Sequence, residues 1–244
     1  MKMLQFGQNK EINAEEIFSA LMKRKRMVER FRFPYTPRQM YDLLLAACRA
    51  EVALRHREFV ASDSYLRHIA DVARWLTGTD TTFGLFLCGN RGNGKTTLVK
   101  AMKSLYNLLH SDEGYTSQND CWPLFGFEII TAKELVLLAK AYNNRTRDNM
   151  SDVGRYKRLR DVEVLCIDEL GTEPRESLNY GDYVNAAMDM ISYRYEEQFC
   201  TMATSNLAAD EIREYYDERF ADRFREMMQI VDFGNEASFR TIKR

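Results

Sequence analysis

Gly89-Asn90-Arg91-Gly92-Asn93-Gly94-Lys95-Thr96 is the stretch on which the reading of this chain turns. It matches the pattern GxxxxGK[ST]. It follows the apolar run Leu85-Phe86-Leu87-Cys88 and precedes a helical run from Thr97 to Leu109. Strand, loop and helix in that order is the context that gives the pattern meaning. Glycines let the backbone turn tightly and bring its N–H groups against phosphate oxygens, and the helix N-terminus adds partial positive charge. Gly89, Asn90, Arg91, Gly92, Asn93, Gly94, Lys95, Thr96 and Thr97 are therefore expected to bind a nucleotide's phosphates. Lys95 bridges the β- and γ-phosphates and Thr96 offers its hydroxyl to Mg²⁺.

Outward from the loop, short apolar runs alternate with longer amphipathic ones. Strands are predicted at Leu85–Cys88, Phe127–Ile130, Val162–Ile167, Phe199–Ala203 and Gln229–Asp232. Helices are predicted at about 95–109, 132–143, 181–196 and 209–227, with Thr131 capping the second of them. This spacing reads as an α/β fold: a parallel five-stranded sheet flanked by helices. Before Gly78 the chain reads as helical, with Asn13 and Thr36 as N-caps. Pro37 stands at the first helical position, and further helices run to about Phe59 and from Asp63 to Leu76. The division expected is a helical N-terminal region over 1–60 and a nucleotide-binding domain over 61–244.

Val162-Glu163-Val164-Leu165-Cys166-Ile167-Asp168-Glu169 is apolar until its last two residues. In a parallel sheet such a strand is buried and its C-terminal end faces the ligand crevice. Asp168 is placed to hold Mg²⁺, and Glu169 to orient or deprotonate an attacking water. The next strand ends in Thr204-Ser205-Asn206. Asn206 there either meets the γ-phosphate or attacking water, or caps a turn. Phosphoryl transfer calls for positive charge beyond Lys95. The segment Arg219-Phe220-Ala221-Asp222-Arg223 and the later Arg240 offer it, unless these arginines are ordinary helix-surface charges.

Composition limits the rest. The 244 residues carry 35 Lys and Arg against 36 Asp and Glu, a net charge of -1, so nucleic acid is not bound by overall charge. The excess is uneven: net +4 over residues 1–80 and net -5 beyond. Lys23, Arg24, Lys25, Arg26, Arg30 and Arg32 form a basic run that is either a solvated face or a contact for nucleic acid or a partner. Five cysteines with no CxxC pair read as buried free thiols in a reducing cytoplasm. The first ten residues have no apolar h-region and no apolar run reaches 18 residues, so neither a secretory signal nor a membrane span is expected.

With these residues together, the chain resembles the AAA+ P-loop ATPases of the DnaC/IstB group: bacterial replicative helicase loaders and transposition helper ATPases. The resemblance covers about residues 65–244. It rests on GNRGNGKTT (89–97), CIDELG (166–171), RYE (194–196), ATSNL (203–207), YDERFADRF (216–224) and SFR (238–240). It implies ATP and Mg²⁺ as ligands and hydrolysis of ATP, with Asn206 as the sensor-1 residue. It also implies Arg223 as an arginine finger reaching a neighbouring subunit's ATP, and Arg240 as a sensor-2 arginine in the same subunit. Partners implied are single-stranded DNA, a replicative helicase or a transposase, and further copies of the chain. Residues 1–60 would grip the partner, and Arg145, Arg147, Arg155 and Arg158 are candidates for the DNA backbone. Arg91 and Asn93 depart from the group's usual small residues or Pro and Thr. Two other classes stay open, a small-molecule phosphotransferase and a non-hydrolysing nucleotide-gated adaptor.

Overall fold

A computed structural model describes residues 13–23, 28–110, 123–174, 177–179, 182–234 and 238–239. Its centre is a five-stranded parallel sheet in the order β2 (Leu124–Thr131), β3 (Val162–Leu170), β6 (Cys200–Ser205), β1 (Gly84–Cys88), β7 (Met228–Asp232). All five predicted strands are present. Leu85, Phe86, Leu165, Ile167, Met202 and Ala203 are fully buried, as strands covered on both faces must be. β6 lies between β1 and β3, so its C-terminal end separates the phosphate loop after β1 from the carboxylates at the end of β3.

One face is covered by α2 (Pro37–Ala53), α3 (Asp63–Thr77) and α4 (Lys95–Leu109), the other by α5 (Ala132–Asn143), α6 (Met150–Asp161), α7 (Ala186–Glu197) and α9 (Glu218–Met227). Met40, Leu44 and Cys48 of α2 lie in the same buried cluster as Leu85 and Leu87 of β1. Thus the second half of the span expected to form the N-terminal region shares the main core. α1 (Ala14–Met22) buries none of its residues.

Local signals explain the helix starts. Asn13 accepts from the Glu15 and Glu16 amides, and Thr36 with Gln39 closes a full capping box with Pro37 behind it. Thr131 accepts from the Glu134 amide, whereas the Glu134 carboxylate pairs with Arg155 at 2.7 Å. Three sequence expectations need correction, and one helix was not foreseen. The helix from Thr36 stops at Ala53, not near Phe59, because His56 turns left-handed (φ 56°). The helix expected at 181–196 begins at Ala186, where Asn185 accepts from the Ala187 and Met188 amides; residues 182–184 instead form β5, antiparallel to β4 (177–179). The helix expected at 209–227 is split into α8 (Glu211–Tyr215) and α9, because Asp217 breaks it to cap the Phe220 amide at 2.6 Å. Arg155 and Arg158 lie in α6, a helix that the sequence reading does not place.

Cys48, Cys88, Cys166 and Cys200 are buried and free. Burial pushes the thiols of Cys48, Cys88 and Cys200 up to about 12, so they stay protonated. Cys121 lies outside the described residues, as do Arg24, Lys25 and Arg26 of the basic run. Among the described residues no helix is long and apolar enough to cross a membrane.

Candidate functional site

The phosphate loop runs from the end of β1 into α4, and its glycines supply backbone that other residues resist. Gly89, Gly92 and Gly94 have φ of 114°, 82° and 98°. A Cβ on Gly94 would also lie 2.5 Å from the Tyr65 ring of α3. Two C-terminal segments of the same chain clamp the loop at Asn90 and Gly92. The Asn90 amide donates to the Gly234 carbonyl at 3.0 Å, and the Phe239 amide donates to the Gly92 carbonyl at 2.9 Å. Lys95 is buried, with Nζ donating to the carbonyls of Gly89 (2.6 Å) and Asn90 (2.7 Å) and to Asn93 Oδ1 (3.1 Å). Its ammonium thus sits inside the loop, where an anion's oxygens would compete with neutral carbonyls.

Asp168 and Glu169 leave β3 beside this loop. Thr96 Oγ1 donates to Asp168 Oδ1 at 2.9 Å, across 72 residues of sequence. Thr204 Oγ1 donates to the same oxygen at 2.5 Å and accepts from the Glu169 amide at 3.0 Å. Ser205 Oγ donates to the Leu170 carbonyl at 2.6 Å and accepts from the Leu207 amide at 3.0 Å. Two hydroxyls at the end of β6 therefore pin the turn that follows Asp168. Within that turn Glu169 adopts φ 60°, a conformation that residues other than glycine rarely take, and the residue is exposed and lines the cavity.

The loop and both strand ends converge on one cavity of about 640 Å³. Arg91 through Thr97, Asp168, Glu169 and Asn206 line it, so the structure gathers these predicted residues in one place. Gly89 and Asn90 lie just behind the lining, bonded to Lys95 and the Gly234 segment. Arg223 is on α9 and outside the lining, with Nη2 2.8 Å from Glu196 and its guanidinium 5.3 Å above the Tyr195 ring. Arg240 lies outside the described residues. Of the four arginines suggested for DNA, three are otherwise engaged. Arg155 pairs with Glu134, Arg158 pairs with Glu128, and Arg145 stacks on Tyr142 at 4.4 Å. The Arg155 and Arg158 pairs are half-exposed surface ion pairs, which are weak enough to be exchanged for a phosphate. Arg147 is exposed.

Sequence reading missed part of this site. Val52, Arg55, Phe59, Val60, Tyr65 and Phe239 form one wall of the cavity. Arg55 Nη1 donates to Thr97 Oγ1 at 3.4 Å, and the Tyr65 and Phe239 rings meet edge to face with centroids 5.5 Å apart. This wall mixes aromatic and aliphatic side chains with the Arg55 guanidinium beside the polar loop, surroundings that a flat ring carrying a phosphate chain can use. Thr204 and Ser205 were quoted only as a polar strand tip, although an uninterrupted Thr-Ser-Asn after an apolar strand was the available signal.

The chemistry of the donors fits a nucleotide with Mg²⁺. Asn93 is fully buried, its Nδ2 has no hydrogen-bond acceptor among the described residues, and it lines the cavity as a spare donor. Thr96 and Asp168 present oxygen ligands side by side, which is what a small hard cation takes. Among the described residues no group of three or more His, Cys, Asp or Glu is gathered for a metal. An ion here would take its other ligands from phosphate oxygens and water.

No protein-family model and no curated protein matches the chain. Solved structures do resemble it. The crystal structure of DnaI is 20% identical, covering 81% of this chain and 94% of that one, with a TM-score of 0.51. That of the DnaC helicase loader is 17% identical over 71% and 92%, with a TM-score of 0.49. A primosome component from Streptococcus pyogenes is 18% identical over 79% and 98%, with a TM-score of 0.45. The likeness to DnaI shows the fold: a five-stranded parallel sheet flanked by helices, the α/β arrangement expected from the sequence.

Proposed function

We propose that this protein binds ATP with Mg²⁺ and hydrolyses it as a subunit of an assembly, and that its task is to load a replicative helicase onto single-stranded DNA. The observation that carries the nucleotide reading is the convergence of loop, Thr96–Asp168 pair and Glu169 on one cavity. Lys95 and the loop amides would hold the β- and γ-phosphates, and the cavity wall that includes Phe59 and Phe239 would lie against the base. Thr96 and Asp168 would hold Mg²⁺, which supplies positive charge against the phosphate oxygens. Glu169 orients a water in line with the γ-phosphorus and takes its proton as the bond to the bridging oxygen breaks, leaving ADP and phosphate. Asn206 adds a hydrogen bond at the γ-phosphate or the water. Arg223 leaves Glu196 and reaches the ATP of a neighbouring copy, which makes turnover depend on assembly.

The partner reading is supported by α1. Ile17, Phe18, Leu21 and Met22 are all exposed on this short helix, an apolar stripe that none of the other described residues buries. Replacing both Phe18 and Leu21 by Asp is expected to abolish capture of a purified replicative helicase and leave ATP affinity unchanged. Undiminished capture would remove residues 1–60 from the partner contact.

The nucleotide reading is tested by titrating a fluorescent ATP analogue with Mg²⁺. Wild type is expected to bind saturably, and Lys95→Ala to bind at least about 10-fold more weakly, as expected for loss of a charged hydrogen bond worth ~1.5–3 kcal/mol. Equal affinity of the two proteins, or none in either, would overturn the reading.

A further inference from the structure

We infer that Glu173 and Tyr216 are positioning residues for Glu169, and that their hydrogen bond ties the turn carrying Glu169 to the helix carrying Arg223. The inference rests on the hydrolysis proposed above.

Glu173 is a carboxylate 2% exposed. Both its oxygens are used. Oε2 accepts from the Gly171 amide at 2.8 Å, and Oε1 accepts from the Tyr216 hydroxyl. The Tyr215 hydroxyl donates to the Glu173 carbonyl at 2.6 Å, so two successive tyrosines hold this one residue. The bond to Gly171 closes a turn in which the Glu169 carbonyl accepts from Thr172 twice, through its amide at 3.1 Å and its hydroxyl at 2.8 Å. Gly171 itself has φ 88°, and a Cβ there would lie 2.5 Å from Leu207. The left-handed backbone of Glu169 is thus fixed on its N-terminal side by Thr204 and on its C-terminal side by Glu173. A residue held in a costly conformation stays there only if its surroundings over-determine it.

Tyr216 sits at the break between α8 and α9. Its ring packs 4.7 Å from Phe220, which stacks 5.5 Å from Phe224, and Phe224 meets Phe86 of β1 edge to face at 4.9 Å. α9 therefore enters the core as a rigid aromatic row whose first member grips the Glu169 turn. Burial and the nearby Glu173 push the Tyr216 phenol well up, so it keeps its proton and remains the donor. A shift of α9 when Arg223 engages a neighbour would pull on Glu173, and through Gly171 on the backbone that aims Glu169.

Tyr216→Phe removes one hydroxyl and keeps the ring row, so it tests the link with little disturbance of the core. In ATPase assays on the full chain with Mg²⁺, it is expected to lower kcat about 10-fold, the scale set by small misplacement of a catalytic group. KM and fluorescent-ATP affinity are expected to stay within about twofold of wild type, since binding and chemistry separate in this way when only the reacting geometry is lost. In a Glu169→Gln background the same change is expected to cost nothing further, because it acts through Glu169. Glu173→Gln, which keeps an acceptor oxygen, is expected to retain more turnover than Glu173→Ala. Unchanged kcat in Tyr216→Phe, a loss confined to KM or melting temperature, or a full additional loss in the Glu169→Gln background would each overturn the inference while the hydrolysis reading stands. If wild type itself turns over no ATP, the hydrolysis reading fails and this inference with it.

Discussion

Glu169→Gln is expected to lower ATP turnover by at least about 100-fold, the low end of what a positioned general base contributes, while leaving fluorescent-ATP affinity within about twofold of wild type. The amide keeps the size and the exposed position of Glu169 but cannot take a proton from water. Its left-handed backbone is held by Thr204 and the Glu173 turn rather than by the carboxylate, so the substitution leaves the fold intact. Arg223 gives the same experiment a second arm. Arg223→Ala alone is expected to bind ATP and fail to turn it over. Equimolar mixing of the two variants should recover part of the activity, because a Glu169→Gln subunit still offers Arg223 to a neighbour whose Glu169 is intact. Recovery on mixing is a result that a finger acting within its own subunit cannot give. Turnover by Glu169→Gln equal to wild type would favour a nucleotide-gated adaptor that does not hydrolyse.

The sequence carried the site wherever its chemistry is contiguous. The phosphate loop needs glycines, a lysine and a hydroxyl within eight positions, and Asp168-Glu169 follow an apolar run directly. Such signals survive without knowledge of the fold. The wall formed by Phe59, Tyr65 and Phe239 could not be read, because it is assembled from the link between α2 and α3, from α3 itself and from a segment far down the chain. In sequence each of these residues is an unremarkable aromatic. Strand order was hidden for the same reason: the presence of five strands is local, but the insertion of β6 between β1 and β3 depends on how crossovers pack.

The misplaced helix boundaries have a common cause. Asp217 and Asn185 both sit inside runs with helical periodicity, and both spend their side chains on backbone amides instead. That competition ends or starts a helix, and a short polar side chain is favoured for it. The break at Asp217 also lets Tyr216 turn inward toward Glu173. The basic residues of α6 were read as candidates for DNA because an arginine's partner is invisible in sequence. Glu134 and Glu128, their partners here, lie 21 and 30 residues away.

Arg194 is the strongest case of a role that only the structure reveals, and replacing it is expected to produce the largest loss of stability. A charged residue in a helix normally faces water, yet this one is 0% exposed on α7. Nε donates to Thr201 Oγ1 at 2.9 Å. Nη1 meets the carbonyls of Leu159 (3.1 Å), Arg160 (2.9 Å) and Val162 (2.8 Å), and Nη2 those of Glu163 (3.3 Å) and Cys200 (2.6 Å). The guanidinium therefore satisfies the end of α6 and the first residues of β3 and β6 together, at the N-terminal ends of the strands, opposite the end that meets the cavity. Burial lowers its pKa, to about 9, which still leaves it charged at neutral pH, where the surrounding oxygens favour the cation. Arg194→Ala would strand several buried carbonyls at ~1–3 kcal/mol each and leave a hole where a long side chain was. A total of at least about 4 kcal/mol follows, a rare magnitude for one substitution and a large part of a typical domain's stability. The melting temperature should drop by about 8 °C or more for a domain of this size. Arg194→Lys should rescue little, since one ammonium cannot span acceptors on three elements as a planar fork does. Because the site lies far from Glu169, protein that remains folded should bind ATP with unchanged affinity. A urea midpoint for Arg194→Ala within error of wild type would show that those carbonyls find other donors, and the guanidinium would then be dispensable to the sheet.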